Sequence, residues 1–287
     1  GTSCESLINI ADPYDGFSRN LPSSIFILPV IAELGLPIVS HGVFSVGPKY
    51  GCTHHLTLKE LGYNSNNDHE EIVERLENKD IGWAYADQSM FNPKLHNLMS
   101  LRKQIIKRPV ITTVEVLVKP VSSKNDMFFT GFVHKPYPPI YLELSRNAQF
   151  NSATVIRGTE GGIIPSLRQT GKVHFYHSAG EQDDSYDVTP DELGIVQSSR
   201  AVDIPEEITR KNTKDKIESK VDAVDIAKET IKSGISALSG NDGPMLSCIQ
   251  LGAAIVLQRA TGDDLDNCSK EVLRVLKSGA ALKRMKR

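Results

Sequence analysis

The stretch Pro37–Gly62, PIVSHGVFSVGPKYGCTHHLTLKELG, decides the fold. Pro37-Ile38-Val39-Ser40 is a short β-branched run, and Gly42, Gly47 and Gly51 then punctuate a loop holding Pro48, Lys49 and Tyr50. Thr53 is a residue type that caps helices and Gly62 one that ends them, so the order is strand, loop, helix. Loops of this kind bind anions. Glycine lets the backbone come close to a ligand, the helix start offers unpaired N–H groups, and Lys49 adds a mobile charge. Neither GxxxxGK[ST] nor GxGxxG is present, so a plain surface turn stands beside the anion site as the alternative.

Working outward, Leu7–Ala11 reads as a strand that runs into the turn Asp12-Pro13-Tyr14-Asp15-Gly16. Pro22-Ser23-Ser24 opens an apolar segment through Leu34 that Gly35 stops: a buried helix in which Pro29 either makes a kink or marks the true start. Strand, helix and strand over the first forty residues make a βαβ unit, which implies parallel pairing and a right-handed crossover. Beyond Gly62 follow a charged helix, Glu70–Asn78, and a strand, Ile81–Ala86. Leu95, Leu98 and Met99 then fit one helical face, with Arg102, Lys103, Lys107 and Arg108 crowded behind it, before Pro109 interrupts. Val110–Val118 reads as a strand by propensity alone. Phe128–Val133 and Ala153–Ile156 are better strands, with an amphipathic stretch around Tyr141, Leu142 and Leu144 between them.

Val173–Tyr176 has the look of an edge strand, followed by an acidic loop, Glu181–Asp187. Helices dominate afterwards: Val221–Ser233 is amphipathic, Pro244–Ala260 is apolar on nearly every face, and Cys268–Ser278 is charged on its outside. The predicted class is α/β, a mainly parallel central sheet flanked by helices. Residues 1–287 are expected to form one domain, with about residues 89–119 as a helical excursion contributing to a small α subdomain.

Composition narrows the partners. Lys and Arg number 33 against 35 Asp and Glu, a net charge of -2, so there is no global attraction for nucleic acid or anionic lipid and any polyanion site must be local. No window is apolar over the length that a membrane span needs. The 4 cysteines lack a CxxC, which points to a reducing compartment. The expected location is the cytoplasm, or a plastid if a transit segment lies upstream. His54, His55, His174 and His177 have no convincing metal-ligand spacing.

Four stretches carry a resemblance: AELGLPIVSHG at residues 32–42, LRKQIIKRPVITTVEVLVKP at 101–120, RGTEGG at 157–162, and GPMLSCIQLGAAIVLQRATGDDLDNCSKEVLRVLKSGAAL at 243–282. Through them the chain resembles the anthranilate phosphoribosyltransferase family. The resemblance implies transfer of a phosphoribosyl group from phosphoribosyl pyrophosphate (PRPP) to the amine of anthranilate, with Mg²⁺ as cofactor. It also implies a homodimer, and a helical bundle preceding the α/β domain that this sequence does not include.

Carried over residue by residue, the resemblance places Asp15, Gly16 and Asn20 in the first phosphate loop and Ser40, His41 and Gly42 in the second. Lys49 supplies charge from further along that loop, Glu160 lies on the metal, and Arg102 meets the aromatic acid's carboxylate. The match is uneven. Asp12, Pro13 and Tyr14 stand where the family has a glycine-rich run, Ser40 stands for a lysine, Val43 for an asparagine, and Thr159 for the first acid of the metal pair. Each residue also has a structural role open to it: a turn for Asp15-Gly16, a strand-end histidine for His41, a loop acid for Glu160, and a solvated cationic face for Arg102 to Arg108. A divergent branch of the family with a similar His-Gly-Val and Gly-Pro-Lys loop is associated with nucleic-acid binding. On that alternative Lys49, Arg102, Lys103, Lys107 and Arg108 form a groove for single-stranded nucleic acid.

Overall fold

The computed structural model describes residues 1–105, 109–208, 210 and 218–287. The first crossover is β1 (Ser6–Ala11), a 3₁₀ turn (Ser24–Phe26), α1 (Ile27–Glu33) and β2 (Ile38–Gly42). Pro29 falls in the first turn of α1, where its missing N–H has no intrahelical partner to lose, so it marks the start of the helix. Next come α2 (His54–Glu60), α3 (His69–Glu77) and β3 (Trp83–Asp87). Thr53 Oγ1 accepts the Leu56 N–H at 3.1 Å, and Gly62 turns left-handed at φ +85° just past the end of α2.

Between β3 and β4 (Asn125–Phe132) the described residues form four short helices, α4 (Gln88–Phe91), α5 (Pro93–His96), α6 (Met99–Gln104) and α7 (Ile111–Val114), then a 3₁₀ turn (Glu115–Leu117). The strand expected at Val110–Val118 is therefore helical. β-branched residues favour strands only where a pleated neighbour is available, and this segment lies off the sheet.

Then follow α8 (Tyr137–Asn147), β5 (Ser152–Arg157), β6 (Gly171–Tyr176) and β7 (Asp184–Val188). The chain closes with α9 (Ala223–Leu238), α10 (Pro244–Thr261), α11 (Leu265–Ser278) and α12 (Ala280–Met285). The sheet order is β3-β2-β1-β4-β5-β6-β7, parallel through β5 and antiparallel for the last two pairs. Val173–Tyr176 is thus an interior strand, and the edge is β7, formed from the segment expected to be an acidic loop. Tyr186 and Val188 alternate with Ser185 and Asp187, a period-2 pattern that pairs with β6.

Successive residues of the sheet serve different cores, as Phe128 and Phe129 show by joining separate buried clusters on the two faces. Helix α10 is buried without a break from Met245 to Leu257, as its all-round apolar sequence requires. Order along the sheet reverses between β1 and β4, so the carboxyl ends of β1, β2, β4 and β5 open on one side. Open α/β sheets bind ligands at such a reversal.

Helix packing is tight enough to forbid a methyl group at Gly234 in α9. Alanine there would add roughly 1 kcal/mol of helix propensity. Its Cβ, however, would stand 2.0 Å from Cζ of the fully buried Phe26 ring, and overpacking costs about 1–3 kcal/mol. Gly234→Ala is expected to lower the urea midpoint. A midpoint unchanged or raised would show that α9 shifts freely against the 3₁₀ turn that carries Phe26.

Candidate functional site

Asp12 follows β1 directly, and its buried carboxylate ties the site together. Oδ1 accepts the Ile163 N–H at 3.0 Å, while Oδ2 accepts the Ser24 hydroxyl and lies 3.1 Å from His54 Nε2. Nδ1 of His54 meets Ser40 Oγ at 2.8 Å. The end of β1, strand β2, the start of α2 and the segment after β5 thereby share one polar cluster. Ser40, expected at a phosphate, faces inward with no exposed surface.

Loops that follow β1 and β2 are zipped to each other. Phe17 and Cys52 exchange backbone bonds of 2.9 and 2.7 Å, and the Gly51 N–H donates to the Asp15 carbonyl at 2.9 Å. A Cβ on Gly16 would lie 2.6 Å from the Cys52 oxygen, and one on Gly51 2.4 Å from the Phe17 oxygen. These glycines, expected to admit a ligand, admit the neighbouring loop.

Glu160 occupies the nest of N–H groups beside this zipper. One carboxylate oxygen accepts the N–H groups of Arg19 and Asn20 at 2.8 and 2.9 Å; the other accepts the Ser18 N–H at 3.0 Å and its hydroxyl at 3.3 Å. Lys49 Nζ stands 3.9 Å from Glu160 and 3.5 Å from Asp15. The cation expected to meet a phosphate is held between two carboxylates. Glu160 takes a left-handed φ of +53°, which costs a non-glycine residue roughly 1–2 kcal/mol. Charge-assisted bonds to three amides offset that cost. Glycines fix the turn around it, since a Cβ on Gly158 would meet the Gly162 oxygen at 1.6 Å and one on Gly131 the same oxygen at 2.0 Å.

His41, at the end of β2, is buried against Tyr14, whose hydroxyl lies 2.5 Å from Nδ1. Burial holds the Tyr14 phenol well above its usual range, so it donates to Nδ1 and leaves the ring proton on Nε2, which has no partner among the described residues. Burial, with His54 nearby, pushes His41 down to about 3, and the ring is neutral at physiological pH.

Arg102 departs from the expected face. It is buried, ion-paired to Glu115 and bonded to the Gly47 carbonyl at 3.1 Å, while Leu98 and Leu101 on the same stretch are exposed. A buried carboxylate and a carbonyl engage the two terminal nitrogens of Arg102 inside the fold, while Nε has no partner among the described residues. Lys103 is exposed, and Lys107 and Arg108 lie outside the described residues.

Beside Glu160 opens a cleft of about 1420 Å³ at the carboxyl edge of the sheet. Its described lining carries seven Lys or Arg against three Asp or Glu, so the local field is positive although the chain's net charge is -2. Arg19, Arg157, Arg168, Arg200 and Lys220 are exposed there. Of these, Arg157 lay within a quoted motif without being singled out; the others come from distant segments with no shared local pattern.

A magnesium site was expected at Glu160. No group of three or more His, Cys, Asp or Glu among the described residues could hold a metal. Both Glu160 oxygens are already engaged by N–H groups, and Lys49 sits where a cation would be drawn, so these residues do not fit the ion.

The molecule is therefore an open-sheet α/β protein with a positively charged cleft at the carboxyl edge of its strands. Residues 20–282 match the glycosyl transferase family a/b domain, and the chain belongs to that family. An anthranilate phosphoribosyltransferase of Aquifex aeolicus is 24% identical over 88% of this chain and 67% of its own. A second, uncharacterized Aquifex protein is 30% identical over 56% of this chain, which spans about half of it, 46%. Among solved structures, anthranilate phosphoribosyltransferase from Thermus thermophilus superposes with a TM-score of 0.72 at 17% identity, over 98% of this chain and 76% of that one. The Saccharomyces cerevisiae enzyme in complex with PRPP and Mg gives 0.74 at 14% identity, over 100% and 73%. The resemblance read from the sequence and the α/β class both hold. No helix among the described residues is long and apolar enough to cross a membrane.

His41 gives the site an acid limit. With its folded pKa at about 3 against an ordinary 6.5, the unfolded chain binds the extra proton between those values. Stability is therefore undiminished above pH 6.5 and falls as pH drops below it, by up to about 1.4 kcal/mol per pH unit. Denaturant midpoints from pH 7 to pH 4 should show a shallower slope for His41→Asn than for the parent. Identical slopes would mean that His41 takes up its proton without unfolding.

Proposed function

We propose that the chain is a family member that binds a compact phosphate-bearing ligand in the arginine-lined cleft, without metal-dependent group transfer. The observation that carries this is the division of charges: Lys49, Asp15 and Glu160 neutralise one another, while Arg19, Arg157, Arg168, Arg200 and Lys220 line open space. Exposed guanidinium groups recognise phosphate oxygens through paired N–H donors. Transfer of a phosphoribosyl group from PRPP to anthranilate, the reaction for which the named relatives are known, would need close backbone donors and Mg²⁺ ligands. Here the corresponding groups are engaged with one another.

A nucleic-acid groove gains less support. Lys49 and Arg102 are spent internally, and the described lining of the cleft has no Phe, Tyr or Trp on which bases would stack.

Titration with PRPP, inorganic pyrophosphate, anthranilate and a short oligonucleotide, each with and without Mg²⁺, tests the proposal. PRPP and pyrophosphate are expected to bind weakly, independently of Mg²⁺, and more weakly still as salt rises. Arg157→Glu with Arg200→Glu should cost at least tenfold in affinity, about 1.4 kcal/mol. Mg²⁺-dependent PRPP binding with turnover of anthranilate would overturn the proposal, as would affinity for the oligonucleotide alone.

A further inference from the structure

The N–H groups of Ser18, Arg19 and Asn20 converge as they would on an external anion, with Lys49 behind them, and the anion they receive belongs to the chain. Four donors from this short segment, three backbone amides and the Ser18 hydroxyl, meet one carboxylate. That density of donors exceeds what an ordinary loop acid collects, and the left-handed backbone of Glu160 shows that the surroundings hold this side chain in place. The carboxylate also forms part of the wall of the cleft, so solvent or ligand reaches the nest once the side chain is gone.

We infer that Glu160 is a built-in occupant of an anion nest and so determines which phosphates the cleft accepts. A single phosphoryl group fits among the outer arginines, whereas a diphosphate reaching further inward meets the negative charge of Glu160 on the amides that would have received it. Glu160 thus selects by exclusion, repelling the second phosphoryl group in place of a metal that would bridge it. The inference rests on the proposed anion-binding role of the cleft, and the experiment separates the two.

The probe is inorganic pyrophosphate, with inorganic phosphate as the single-group control, measured by calorimetry. Glu160→Gly removes the carboxylate and suits the positive φ, so it is not expected to unfold the turn. Glu160→Gln keeps the shape and one acceptor oxygen while removing the charge. Both are made in the parent and in the Arg157→Glu, Arg200→Glu background, where the outer cleft is disabled. Glu160→Gly is expected to raise pyrophosphate affinity at least tenfold in both backgrounds, Glu160→Gln to raise it less, and Lys49→Met to cancel the gain. Phosphate affinity should rise far less than pyrophosphate affinity. Folded Glu160→Gly and Glu160→Gln proteins, by near-UV circular dichroism, with unchanged pyrophosphate affinity would overturn the inference. So would a gain that survives Lys49→Met undiminished. If instead the outer-cleft substitutions leave the parent's phosphate binding intact, the cleft role fails, while the nest is still judged by the Glu160 variants.

Discussion

A buried carboxylate at the end of the first strand holds the working edge of this molecule together. Asp12 receives a backbone N–H from the segment after β5, the Ser24 hydroxyl and the His54 ring, which in turn reaches Ser40 on β2. Burying a charge is costly unless its oxygens are satisfied, and here each oxygen has a donor. Removing one partner from such a cluster costs about 3–5 kcal/mol, because the remaining charge is left stranded. The ends of β1 and β2 and the turn that carries Glu160 are consequently fixed relative to one another before any ligand arrives.

From that tie follows a coupling among the polar residues of this edge. Asp12 engages His54, Tyr14 engages His41, Ser40 engages His54, and Glu160 engages the amides after Gly16. Each of these residues uses a donor or acceptor that a different segment supplies. The close approach of Gly16 to Cys52 and of Gly51 to Phe17 seals the arrangement from the backbone side. Replacing one of them alone would strand its present partner.

Much of the fold was legible because local and long-range requirements agree. The runs around Ile10, Val39, Phe128 and Val155 are apolar and short, and helix α10 is apolar all round, so each could only be buried. Legibility failed where a partner distant in sequence decided the outcome. Val110–Val118 had strand propensity but no strand beside it, and Arg102 turned inward because Glu115 and the Gly47 carbonyl were waiting. The loop from Gly42 to Gly51 stands out by its glycines, yet composition cannot say whether glycines make room for a ligand or for another loop. The cleft arginines were invisible for a similar reason: positions 19, 157, 168 and 200 meet only through topology.

The sheet also carries its own stop signal. Its last strand, β7, hydrogen-bonds to β6 along one side, and Asp184 and Asp187, on its opposite faces, both stand in solvent, the latter 3.2 Å from Lys172. An eighth strand arriving from another molecule would have to lie beside these charges and strip part of their hydration, with few apolar contacts in return. Polymerisation by strand exchange is thereby discouraged at this rim, which protects a chain whose other strands are mostly buried in the folded state and exposed during synthesis.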